Sequence, residues 1–241
     1  IEMTRPYLVE ELCRAAQFMH YDKRAKAFVP IDAPDSVAEA YLHRPGHWKL
    51  PVLAGMVNAP FLRADGSICE TAGYDPESRL LFKPEGQVFP PVPQNPDKAE
   101  ATAALDKLRQ LIETFPFVGT ADRGAMLGAI LTVLDRRSMD AAPLIAFTAP
   151  VARTGKSKLV NIISILATGR TMPVMAQGKN DDEFEKRLNS HLLAGAICIS
   201  IVNCERPVSS DVLCQALTQT ELSIRELGRS RTISTATMAT I

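Results

Sequence analysis

Three consecutive residues, Gly155, Lys156 and Ser157, have types and an order that could hold a phosphate. A glycine lets backbone approach an anion, a lysine reaches the β- and γ-phosphates, and a serine hydroxyl binds Mg²⁺. That chemistry also needs inward-facing backbone N–H groups and a helix starting directly behind them. The surrounding text, APVARTGKSKL from Ala149 to Leu159, supplies this context. The apolar run LIAFTAP ahead of it predicts a buried strand, and KSKLVNIISILATG behind it predicts a helix stopped by Gly169. Pro150, Ala152, Arg153, Thr154, Gly155, Lys156, Ser157 and Lys158 are therefore the candidate nucleotide-binding residues, with Ser157 as candidate metal ligand. Two positions depart from an ideal phosphate loop. Pro150 stands at the first glycine position and contributes no N–H. Arg153 stands at a second one. If that position requires a positive φ, its β-carbon costs roughly 1 kcal/mol or more.

An ATPase also needs an acid at the end of a neighbouring apolar strand, to hold Mg²⁺ and position water. The candidate strand is Ala196 to Asn203, and the position for the acid is occupied by Val202. Asn203 can offer only an amide oxygen, and Glu205 lies two residues further on. Lys156, Asn203 and Glu205 are the candidate catalytic residues, with hydrolysis in doubt because of Val202. Arg225, Arg229 and Arg231 surround an expected hairpin turn at Gly228 and are candidate nucleic-acid contacts, a solvated charged hairpin being the plain alternative. Arg136 or Arg137 could act as a finger reaching a neighbouring subunit. The four histidines show no ligand spacing.

The elements that must position these residues fall into two parts. Residues 4–20 and 35–43 predict helices, and residues 48–83 predict short hairpins cut by Asn-Ala-Pro, Ala-Asp-Gly and Tyr-Asp-Pro turns. The proline-rich stretch FPPVPQNPDKAE predicts a linker. The expected organisation is a mixed α+β domain over 1–88, a linker over 89–97 and a nucleotide domain over 98–241. Beyond the linker, helices are expected at 97–114 and 121–137. Strand and helix then alternate, the pattern of a parallel sheet covered by helices. Asn180 with Glu183 forms an expected capping box.

The bulk numbers bound the alternatives. A formal net charge of zero gives no global field toward nucleic acid or membrane, so such a contact needs a local patch. Five scattered cysteines without CxxC spacing argue against a disulfide framework or structural zinc and for a reducing, cytoplasmic setting. No apolar run approaches the roughly 20 residues of a membrane span. A chain that opens without methionine and stops in ATMATI reads as a piece of a longer protein.

The text from TFPFVGTADRG through the GKS loop, the stretch from Ala176 to Leu188, and ISIVNCERP together resemble the ATPase region of phage- and prophage-encoded primase-helicases. These are related to superfamily 3 helicases of the AAA+ group. The resemblance spans about residues 115–240. It makes Pro150 ordinary, and it leaves Arg153 for a glycine and Val202 for an aspartate as the true departures. It implies an AAA+-like P-loop parallel sheet with helices on both faces. It also implies ATP and Mg²⁺ as cofactors, single-stranded or forked DNA as partner, and a hexameric ring of the full-length protein. The alternative is a degenerate, non-hydrolysing module from a prophage remnant.

Overall fold

The computed structural model describes residues 3–44, 47–93, 95–151, 153–225 and 232–241. The chain divides into two compact units, Ile1–Pro51 and Val52–Ile241.

In the first unit the helix expected over 4–20 stops early. α1 spans Arg5–Ala15, with proline in its first turn, where a missing N–H costs nothing. Phe18, Met19, His20 and Tyr21 then leave the helix for β1 (Phe18–Asp22). Their spacing fits either state, but aromatic side chains favour a strand once a partner exists. The partner is β2 (Ala27–Ile31), antiparallel, with Tyr21 opposite Phe28. Asp22 closes the turn by accepting from the Arg24 N–H at 2.7 Å. α2 (Asp35–Leu42) forms as expected and packs on α1.

The second unit opens with short strands: β3 (Gly55–Val57), β4 (Phe61–Leu62), β5 (Ile68–Cys69), β6 (Gly73–Asp75) and β7 (Leu80–Phe82). β7 lies between β3, parallel, and β6, antiparallel, while β4 and β5 form a hairpin. Asp65 and Asp75 sit where the turn chemistry put them. Asp65 accepts from the Ser67 N–H, and buried Asp75 takes two bonds from Arg63 and two from Ser78. The Arg63 guanidinium holds the Asp75 carboxyl down at about 2.

Helices α3 (Lys98–Leu111) and α4 (Thr120–Leu134) come after the proline-rich stretch. α3 starts on a reciprocal Asp97–Glu100 capping box. A 3₁₀ turn, Arg136–Ser138, leads to the extended segment before α5 (Lys156–Thr168). β8 (Val174–Ala176), α6 (Asp181–Leu193), β9 (Ser200–Val202), α7 (Asp211–Thr218) and the antiparallel pair β10 (Glu221–Arg225) and β11 (Thr232–Ala236) complete the unit.

The expected single parallel sheet with helices on both faces is not what forms. The protein is a mixed α/β structure whose described strands make four two-stranded sheets and one three-stranded sheet. Only β8 and β9 pair in parallel among the strands expected to build it. LIAFTAP forms no strand: Ile145 donates one bond to the Ile241 carbonyl, and Leu144 is 40% exposed. Its burial alternates, with Ile145 and Phe147 packed on the α4–α5 core and their neighbours facing outward. An apolar run alone does not distinguish this half-covered edge from a buried strand, because periodicity is lost when every residue is apolar. The run GAICISIVN likewise pairs as a ladder only over Ser200–Val202, with an isolated parallel bridge between Cys198 and Thr240.

Two features tie the second unit together. Arg136 is fully buried and donates to three backbone carbonyls, those of Met139 at 2.6 Å, Thr237 at 3.0 Å and Ala239 at 3.3 Å. Burial lowers its pKa. Gly169 ends α5 at φ +75, and a β-carbon there would lie 2.6 Å from the Asn58 carbonyl carbon, so only glycine fits.

Arg136→Ala leaves those carbonyls without their donor, at roughly 1–3 kcal/mol for each that stays buried. The urea midpoint of the full chain is expected to drop sharply; a midpoint equal to that of the parent would show that the clamp holds nothing. Asp75 sets a pH response of definite sign. Its folded value lies below the unfolded one, so its contribution is complete above the ordinary carboxyl value of 3.8 and is lost as pH falls toward about 2. Unfolding free energy measured across that window is expected to fall with pH, and Asp75→Asn to flatten that part of the profile.

Candidate functional site

α5 begins abruptly, and the residues around Thr154 explain how. Arg153 takes φ +63 and Gly155 takes φ +92, so two left-handed residues flank Thr154 and turn the chain onto the helix. The position at which a β-carbon would cost energy is thus occupied by an arginine in the costly conformation. No side chain caps the helix; the Lys158 and Leu159 N–H groups both close on the Gly155 carbonyl. The amides ahead of these are the ones a helix start leaves without intrahelical partners. Arg153, Ser157 and Lys158 are exposed, while Thr154, Gly155 and Lys156 are half-buried. Pro150 is an exposed bend, and Ala152 lies outside the described residues. Among the described residues the buried Thr154 Oγ1 has no hydrogen-bond partner.

Phe115 supports this turn from below. Its ring carbon lies 3.1 Å from where a β-carbon on Gly155 would sit. Nothing in the spacing of Phe115 announces that contact, because it joins segments distant in sequence. Phe117 lies 6.4 Å from Phe115, centroid to centroid, and Arg123 stands 6.0 Å from the Phe117 ring.

Val202 is half-buried at the end of β9, and its carbonyl accepts from the Gln177 N–H at 3.3 Å. Asn203 leaves the strand at φ +54, and both it and Glu205 are exposed. Asparagine is among the few residues that tolerate this conformation. Gln177, 4% exposed, fixes the turn beyond Glu205. Its side-chain amide donates to the Arg206 and Pro207 carbonyls, and its oxygen accepts from the Arg206 N–H. Arg206 also reaches Asp181, at 3.5 Å. The stretch after β8 and the stretch after β9 are therefore bound to each other, a role for Gln177 that its place in the sequence does not signal. α6 starts as expected, with Asn180 accepting from the Glu183 N–H, but the return bond goes one residue further back, from Lys179 N–H to Glu183.

The turn is described from Arg153 onward, and Asn203 and Glu205 lie just past the end of β9, with the Glu205 N–H donating to the Asn203 carbonyl at 3.1 Å. Among the described residues no hydrogen bond or ion pair joins the loop to Asn203 or Glu205. The segment carrying the loop bonds to Ile241, and Thr240 bridges Cys198 on the β9 line.

Arg136 and Arg137 do not project as fingers. Arg136 is spent on backbone carbonyls, and the half-buried Arg137 lies 5.0 Å from the Phe61 ring, with burial lowering its pKa to about 10. Arg225 is exposed at the end of β10, opposite Thr232; Arg229, Arg231 and the turn expected at Gly228 lie outside the described residues.

The donor set fits a nucleotide's phosphates better than it fits a metal. Lys156, the loop amides and Arg153 suit an anion. For Mg²⁺ the chain offers the Ser157 hydroxyl, and β9 ends in valine, not a carboxylate. Among the described residues no group of three or more His, Cys, Asp or Glu could hold a metal ion. Among the described residues, too, no helix is long and apolar enough to cross a membrane. No protein-family model, no curated protein and no solved structure matches this chain.

Proposed function

We propose that residues 150–158 bind the phosphates of ATP, as the nucleotide-binding region of a phage-type primase-helicase acting on DNA. The observation that carries the reading is the left-handed pair Arg153 and Gly155 ahead of α5. A non-glycine residue held at positive φ is strained, and such strain persists where the surrounding structure enforces it and clusters at ligand-holding turns. Of the five non-glycine residues with positive φ among those described, Arg153 and Asn203 fall in the two segments singled out for nucleotide chemistry.

In this reading the amides at the start of α5 surround the phosphates, and Lys156 meets the charge of the terminal ones. ATP brings its own Mg²⁺, and Ser157 is the residue that would hold it. Asn203 and Glu205, just ahead of the turn fixed by Gln177, are polar groups that follow the position of the missing acid along the chain. Val202 favours a second reading: nucleotide is bound and not hydrolysed, because nothing on the strand end can act as the carboxylate.

Binding of a fluorescent ATP analogue is expected to weaken at least tenfold in Lys156→Ala, since a charge-assisted phosphate contact of about 1.5–3 kcal/mol is removed. Equal affinity in the two proteins would sink the binding reading. Val202→Asp separates the two versions of it. Turnover of ATP is expected to be negligible in the parent protein and to rise in the variant; ordinary turnover in the parent would overturn the non-hydrolysing version.

A further inference from the structure

The first unit carries a surface that folding does not use. It buries only Leu8, Ala33 and Ala38 among its described apolar side chains. The cross-strand pairs of the β1–β2 hairpin set Met19 and Pro30, then Tyr21 and Phe28, on one face. Met19 is 45% exposed, Tyr21 45% and Phe28 66%. The two rings meet edge to face, with centroids 5.3 Å apart. Immediately beyond them the turn presents Lys23, Arg24 and Lys26, all exposed. The one acid of the hairpin, Asp22, is half-buried and engaged with the Arg24 and Ala25 amides. A chain with no net charge thus concentrates three cations at the end of an aromatic face.

We propose that the β1–β2 hairpin binds single-stranded nucleic acid, with bases stacking on Tyr21 and Phe28 and phosphates meeting Lys23, Arg24 and Lys26. Exposed rings accept unpaired bases of any sequence, and neighbouring cations track the backbone, which is the combination that single-strand binding uses. Duplex DNA keeps its bases stacked inside and offers the rings nothing. A second copy of the chain is a poor occupant. In a two-fold pair the same patch meets itself, and it offers the three cations no free carboxylate, because the hairpin's acid, Asp22, is engaged. The proposal shares the nucleic-acid partner of the preceding reading, but it places that partner in the other unit and makes no use of the phosphate loop.

Fluorescence anisotropy of labelled oligo(dT), oligo(U) and a duplex of equal length, with the full chain in nucleotide-free and Mg²⁺-free buffer, tests it. The single strands are expected to bind and the duplex to bind at least tenfold more weakly. Tyr21→Leu and Phe28→Leu keep apolar bulk, remove the ring, and are each expected to weaken single-strand binding roughly 5- to 100-fold. Lys23→Gln is expected to lower the slope of affinity against salt by about 0.7. Circular dichroism of each variant establishes that the fold is kept. No binding, equal binding of duplex and single strand, variants that bind like the parent, or loss of self-association in place of oligonucleotide binding would each overturn the proposal. None of these outcomes bears on ATP binding, which is measured separately.

Discussion

A buried positive charge whose described hydrogen bonds all end on backbone oxygen helps to fix the frame of the second unit. Removing a guanidinium from water is costly unless its donors are satisfied. Arg136 satisfies them on backbone oxygen alone, from Met139, Thr237 and Ala239. Backbone carbonyls cannot rotate away as side chains can, so the cation dictates the path of the last residues. That path carries Thr240 to Cys198 and Ile241 to Ile145, and so brings the loop-bearing segment alongside the β9 line. The candidate site is therefore arranged from behind, by a residue that has no place in its chemistry.

The same division between frame and chemistry holds at closer range. Gln177 locks the turn after β9 to the turn after β8, and Phe115 props Gly155. Neither residue needs to touch a ligand. Each removes freedom from a segment whose own backbone is strained, at Arg153 on one side and Asn203 on the other. Strained turns persist only where neighbours hold them. These two neighbours are the holders that the structure provides.

What was legible in the sequence was mostly local. The expected cap Asn180–Glu183 marks the start of α6, because a cap and its helix lie within one turn of chain. The start of α5 at Lys156 and its stop at Gly169 are legible for the same reason. The left-handed Arg153 is legible from a motif position. The sheet is not. Apolar runs predict burial, but whether LIAFTAP gains partners on both edges depends on segments far along the chain. Phe18–His20 reads as helix because β1 exists only through Ala27–Ile31. Arg136 stands out in the sequence as a candidate for chemistry, since nothing local says that two of its three acceptors, Thr237 and Ala239, lie about a hundred positions away.

Gly169 has one more consequence. α5 is 13 residues long, a rod of about 20 Å. The turn at Arg153–Gly155 forms one end of it. At the other end Gly169 abuts Asn58, and the Asn58 N–H bonds to the Thr168 carbonyl at 2.6 Å. A close-packed end has no slack. The end of α5 is therefore fixed against the residue that follows β3. The rod is a strut between two places that share no residue, and its far bearing is a spot where even one methyl group has no room.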